Sequence, residues 1–441
     1  MTRGRGRPRS RSRGTTHPVA GRLLLPNPGW FPAGMEDPYP LHRPLLRLYH
    51  QAEPATAVAW THGDDRGRFH FTGEQVGERP LHELGVEVYA KSEGRVEVCF
   101  ESVHRRWSFR VAPFESPAPG ATEPSTPEVL DILGPDLEVS VPSFSRASRL
   151  WSTADRPPRL SDVVEEHDGR RPFFAYSLVM QMRSWLWNQG EGGRAFLRGR
   201  SVPVIYPATS SWYDPMGRVF LDAGRPGTSR YEFKNSWLAH EYAHHIFFSA
   251  CPHAPRTGGA HHWVEPGRAA ALRATDERAC RAFLYGVSRD FAEGFASFVG
   301  QSFLRTSRYE DERGTTDVER PARDDEGHPC RYGDWATTAY LWDLADPADD
   351  DPAALGVDAV LRALADYGRE RRNRYITLPG FHEHLVASGA CPRDVADAVL
   401  RQNGLEQVLS DWRAIPAAQR DAPVDEAALA RAADDYRAVG R

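Results

Sequence analysis

The stretch HEYAHHIF, residues 240–247, constrains this chain more than any other. Residues four apart on an α-helix lie on one face, a turn above each other. His240 and His244 therefore present two imidazoles to the same point, and Glu241, next to His240 around the helix, can reach a water held there. Leu238, Ala239, Tyr242, Ala243, Ile246 and Phe247 carry neither charge nor proline, as a buried helix requires. Two ligands and a general base from one turn make the HExxH arrangement of a catalytic zinc site. The competing reading is a semi-buried helix whose histidines are simply hydrogen-bonded.

Catalytic zinc takes three protein ligands and keeps a position for water. The continuation HExxHxxGxxH is absent, because Phe247 and Ala250 stand at its glycine and third-histidine positions. A glutamate from a downstream helix is the other solution, and DFAEGFASF at 290–298 supplies Glu293. Phe291, Phe295 and Phe298 follow helical spacing and are expected to face the core, with Glu293 and Ser297 on another side. A carboxylate between Ala292 and Gly294 on so apolar a helix is accounted for by metal ligation, and Gly294 is expected to let the two helices approach. An exposed helical glutamate is the plainer alternative. His245 points about 100° away from His244 and reads as supporting or structural. His261 or His262, in a glycine-flanked loop, is a second candidate for the third ligand. Asp290 reads either as a partner for a ligand's free ring nitrogen or as an acid at a helix N-terminus.

The remaining chain suggests an α+β protein. Period-two alternation at Val86 and Val88, at Val96, Val98 and Phe100, and at Trp107, Phe109 and Val111 predicts half-buried strands, with SEGR at 92–95 as a hairpin turn. These strands suggest a small β-sandwich over 45–112, followed by a proline-rich linker at 113–128. PFFAYSLVMQMRSWLWN starts a helix at Pro172 with Phe174, Leu178, Met182 and Trp185 on one face, ended by QGEGG. Strands are expected at 202–207 and 217–223, the second being a place for substrate backbone to add. Asn235 or Ser236 is placed to cap the HExxH helix, and a further helix is expected over 289–303. From about 335 the pattern is helical, with stops at Pro347, Pro352, Gly368, Pro379 and Gly389. The divisions that follow are 1–44, an arginine-rich tail and lead-in; 45–112; 113–128; 129–345, the catalytic domain; and 346–441, a helical subdomain.

Three segments, HEYAHHIF, AEGFASF and AYLWDLADPADDD (339–351), resemble a bacterial gluzincin-type zinc metallopeptidase family whose members show HEYGH, EGxAxF and LWDLxD motifs. IYPATSSWYDPMGRVFLD (205–222) is similar to the strands that lead into the active-site helix there. The resemblance covers roughly 170–405. Ala243 departs from it where the family usually has glycine, a small and helix-favouring change. It implies a zincin-like catalytic domain, zinc held by His240, His244 and Glu293, and Glu241 as general base. A preceding β module of carboxypeptidase-regulatory or transthyretin type, common in the family, loosely fits 45–112. For the oxyanion, Tyr332 is preferred over Tyr340, His328 and Tyr231. Asp343 reads as supporting the site or as holding helix ends together. Asp346, Asp349, Asp350 and Asp351 lack the alternation and glycine of a calcium loop and read as a solvated segment.

The expected activity is zinc-dependent endopeptidase cleavage of a protein or peptide substrate. Two alternatives stand beside it: a zinc-dependent amide hydrolase acting on a small peptide or natural product, and a non-catalytic, zinc-stabilised binding protein. A net charge of -5 gives no global pull toward nucleic acid or anionic membranes. Six arginines in MTRGRGRPRSRSRGTT favour a solvated tail, with at most weak nucleic-acid contact. No apolar run is long enough to span a membrane, and no secretory signal is evident. A cytoplasmic location follows, or a secreted one if the true start lies elsewhere. Five widely spaced cysteines without a CxxC fit free thiols.

Overall fold

The computed structural model describes residues 19–25, 39–79, 83–92, 95–99, 108–111, 130–131, 171–198, 201–208, 211–214, 217–222, 235–251, 276–311, 314–319, 333–346 and 354–439. The arginine-rich tail, the linker, Tyr231, His261, His262, His328, Tyr332 and Asp349 to Asp351 lie outside these residues. The fold is α+β, and the chain divides into two compact units.

Strands are numbered β1 (Leu45–His50), β2 (Glu53–His62), β3 (Leu84–Tyr89), β4 (Val96–Cys99) and β5 (Ser108–Val111). In the first unit, β5, β3, β1 and β2 form an antiparallel sheet in that order. Cross-strand pairs Leu46–Val88 and Leu48–Val86 are fully buried. They are the kind of contact that stabilises a sheet. Arg47 on β1 and Glu87 on β3 form a buried ion pair. Further bonds support it, from Arg47 to the Pro54 carbonyl (2.7 Å) and from the Tyr89 hydroxyl to Glu87 (2.9 Å), which offset part of the cost of burying the charges. A second sheet pairs Val19–Arg22 with Arg68–Phe71 and Leu130–Asp131.

One alternating segment is not part of this module. β3 already has β1 and β5 on its two edges. β4 instead runs parallel to β6 (Val202–Ala208), with Val96 opposite Val202 and Val98 opposite Val204. The second unit's sheet continues through β7 (Trp212–Tyr213) and β8 (Val219–Asp222), in the order β7, β8, β6, β4. β8 lies between parallel β6 and antiparallel β7. On its β7 side, β8 is paired at Val219 and Phe220, and on the other side it pairs with β6, so much of the 217–223 strand expected to receive substrate backbone is already bonded within the sheet.

The helices of this unit begin with α1 (Arg171–Asn188), which buries Phe174, Leu178 and Met182. The QGEGG segment does not simply end it. Gly190 takes a positive φ of 79° and the chain re-enters α2 (Gly190–Ala195). A Cβ on Gly192 would lie 2.3 Å from the Asp358 carbonyl oxygen, and the Gly192 N–H donates to Asp358 Oδ1 at 2.9 Å. Glycine is needed there for close docking rather than for helix termination. The site helices are α3 (Asn235–Ala250) and α4 (Glu277–Leu304). They are followed by the β9 (Arg308–Asp311) and β10 (Gly314–Asp317) hairpin. A helical layer follows: α5 (Asp334–Ala345), α6 (Val357–Glu370), α7 (Leu378–Ala387), α8 (Arg393–Gln402), α9 (Glu406–Ala414) and α10 (Glu426–Val439).

Two of the expected helix stops act differently. Gly368 lies inside α6, where a Cβ would come 2.7 Å from Cys251 Sγ at the end of α3. Pro379 sits in the first turn of α7, capped by Thr377, whose hydroxyl accepts from the Gly380 N–H, a position where proline is tolerated. Gly389, with a φ of 72°, does follow a helix end. The C-terminal helices belong to the same compact unit as the sheet and α3. α10 sets Tyr436 over Gly286 of α4, and Asp435 pairs with Arg278 (2.9 Å) and Arg281 (3.1 Å). Asp343 accepts from Asn403 Nδ2 at 2.7 Å, tying α5 to the end of α8. The described cysteines are buried, and Cys251, Cys280 and Cys391 are free thiols. Burial pushes the Cys251 thiol up to about 12. No described helix is long and apolar enough to cross a membrane.

Within the helical layer the fully buried His382 bridges α5 and α8. Its Nδ1 lies 3.0 Å from the Tyr340 hydroxyl and its Nε2 3.0 Å from Asp397 Oδ1. Burial lowers its pKa from the ordinary 6.5, and Asp397 only partly offsets this. The unfolded chain then binds more protons as pH falls below 6.5, so the imidazole's contribution to stability is full above that value and is lost on acidification. The urea midpoint should fall less between pH 7.5 and 5.5 in His382→Gln than in the wild type. Equal falls would contradict this assignment.

Candidate metal centre

α4 starts at an Asp276 cap, whose side chain accepts from the Arg278 N–H, and ends at Arg305 in the left-handed region. It therefore runs 28 residues rather than the expected 289–303. All residues from Phe291 to Gly300 are buried, so α4 is packed on every side there. Phe247 of α3 meets Phe295 at 4.9 Å and Phe291 at 6.2 Å between ring centroids, and Phe196 meets Phe295 at 5.4 Å. These aromatic contacts fix the crossing of α3 and α4. Arg183 of α1 adds a hydrogen bond to the Tyr242 hydroxyl at 3.2 Å.

On the polar side of this crossing, His240, His244 and Glu293 come together. His240 Nε2 and His244 Nε2 are 3.0 Å apart, and Glu293 Oε2 lies 3.3 Å from the first and 3.0 Å from the second. Both histidines are 5% exposed and Glu293 is 7% exposed. Burial alone would raise the Glu293 carboxyl's pKa. The charge of His244, with hydrogen bonds from both imidazoles, instead holds it well below the usual range. A tetrahedral zinc with bonds of about 2.0–2.1 Å spaces its ligand atoms roughly 3.3 Å apart. The observed separations match this or fall a few tenths short. Two imidazole nitrogens and one carboxylate oxygen are also a donor set that suits zinc. Glu241, half-buried, occupies the next helical position after His240.

The supporting residues partly differ from expectation. His240 Nδ1 lies 3.1 Å from the Ser297 hydroxyl, and both are buried. Ser297 was legible only as a residue sharing a side of the helix with Glu293. Asp290 has a different place. It is mid-helix, since α4 begins at Glu277, and its carboxylate accepts from the Gly333 backbone N–H. Burial, then the Asp334 and Glu293 charges, push it up to about 7. His245 is buried with its Nδ1 3.5 Å from the Tyr213 hydroxyl and its ring stacked on Tyr242 at 5.8 Å, a packing role. Tyr213 also faces His244 at 6.4 Å and Phe248 at 5.7 Å. Tyr309 of β9 meets His240 edge-on at 6.0 Å and Trp335 at 5.0 Å. Tyr340 is fully buried against His382. Among the described residues, His240, His244 and Glu293 are the group of three ligand-type side chains close enough to share a metal ion.

The glycine expected to bring the site helices together serves another contact. A Cβ on Gly294 would lie 2.5 Å from Thr337 Cβ and 2.8 Å from the Asp334 carbonyl, so it admits α5. Gly300 is the glycine that faces α3, with a Cβ position 3.3 Å from the His240 backbone nitrogen. Gly294→Ala should gain about 1 kcal/mol of helix propensity and lose more, about 1–3 kcal/mol, through overpacking against backbone. A lowered denaturation midpoint is expected, and an unchanged or raised one would contradict this packing.

The chain matches no protein-family model and no curated protein.

Proposed function

We propose that this chain is a zinc-dependent peptide-bond hydrolase with a zincin-like catalytic unit. The observation that carries the reading is the convergence of two imidazole nitrogens and one carboxylate oxygen, from two helices, within 3.0–3.3 Å in a buried cluster. Zinc bound there supplies a Lewis acid that polarises a carbonyl and makes water acidic near neutral pH. His240 and His244 offer Nε2 lone pairs, and Glu293 contributes the negative charge of the ligand group. Glu241 takes a proton from the attacking water at its carboxylate and passes it to the leaving amine. The general base separates this reading from a structural zinc site, which needs none. Substrate backbone is assigned to β7, the outer strand of the sheet, where Tyr213 faces the His244 ring. Tyr332, next to the Gly333 cap of α5, is the candidate donor to the oxyanion.

The Glu241→Gln variant tests the reading. It should retain zinc in the amount the wild type holds and cleave a peptide library about 10²–10⁴-fold more slowly. Full cleavage by this variant would remove Glu241 from the mechanism. An intact library after incubation with zinc-loaded wild type would shift the substrate class away from peptides.

A further inference from the structure

We infer that Ser297 is the positioning residue for His240, fixing its ring so that Nε2 faces the metal and tuning how tightly the metal is held. This inference rests on the zinc reading above. A ligand nitrogen must offer its lone pair, so His240 must carry its proton on Nδ1 when Nε2 ligates. The group that meets Nδ1 is the Ser297 hydroxyl at 3.1 Å, which then accepts that N–H. Ser297 is 2% exposed and His240 is 5% exposed, so water does not compete for the bond. Ser297 lies four residues after Glu293, one helical turn along α4. A single turn thus supplies one ligand to the metal and the support for another. Gly300, three residues further, lets the α3 backbone come close at His240, which keeps the imidazole within reach of the hydroxyl.

The chemistry of the support matters. Histidine ligands are commonly supported by a carboxylate, a backbone carbonyl or water. A hydroxyl is neutral and a weaker acceptor than a carboxylate. His240 is therefore less strongly polarised, and Glu293 is the carboxylate of the ligand group itself. The consequence is a metal held less tightly and left more electrophilic than a carboxylate partner would leave it.

The test measures zinc affinity of the full chain by competition with a chromogenic chelator, alongside the melting temperature of metal-free protein. Ser297→Ala should bind zinc about 10–100-fold more weakly, Ser297→Thr should bind close to wild type, and the metal-free melting temperatures should stay together. Ser297→Cys, similar in size but a poor acceptor, gives the same reading if the alanine variant does not fold. Wild-type affinity in Ser297→Ala or Ser297→Cys would overturn the inference and leave the zinc reading standing. Equal losses in the alanine and threonine variants, tracking a lowered metal-free melting temperature, would also overturn it, because packing would then be the cause. A wild-type chain that binds no zinc would remove the zinc reading, and this inference with it.

Discussion

The second unit depends on one crossing, where α3 and α4 meet with phenylalanines on one side and three polar side chains on the other. Burying a carboxylate among apolar residues is costly unless it is paired. Glu293 stands between Phe291 and Phe295, both fully buried, and is paired with two imidazoles. The apolar side makes the polar side possible. The Phe247, Phe291 and Phe295 contacts hold the helices at a fixed separation, which keeps three donor atoms within a few tenths of an ångström of a zinc polyhedron.

The rest of the unit supports this crossing from outside. α5 docks on α4 through Gly294, and α10 docks on it through Gly286 and the Asp435 ion pairs. α8 is tied to α5 through Asn403 and His382. Exposed ion pairs contribute little by themselves, so the close approaches at glycine matter more than the charges beside them. On the other flank the sheet ends in β7, whose Tyr213 packs against His244, His245 and Phe248. His240, His244 and Glu293 are thus held by elements drawn from 183 to 439, which favours a preformed cluster over one assembled on binding.

Much of this was legible because it is local. Helical period placed His240 with His244, and it separated Glu293 from the phenylalanines of its own helix. What periodicity does not encode is the partner of an element. The alternation at 96–99 marks a strand equally well whether it pairs with β3 or with β6, and the pairing depends on which edges are already filled. The same limit applies to glycine. Gly294, Gly300, Gly368 and Gly192 look alike in sequence, and only the neighbour that fills the missing Cβ position distinguishes them. Proline at 379 reads as a stop because it breaks helices from within, yet it is tolerated in a first turn. Ser297 went unassigned for a similar reason: a small polar residue on a buried helix gives no sign of which ring it meets. Asp290 was misplaced because α4 begins earlier than its apolar run suggests.

The central claim is that HEYAHHIF and AEGFASF form one metal site. The most direct measurement is metal content by mass spectrometry of purified full-length protein, wild type beside Glu293→Ala. The account predicts one zinc per chain in the wild type, lost or much loosened in the variant. A folded wild type that holds little zinc even after incubation with the metal would contradict it, and would leave His240 and His244 as structural histidines.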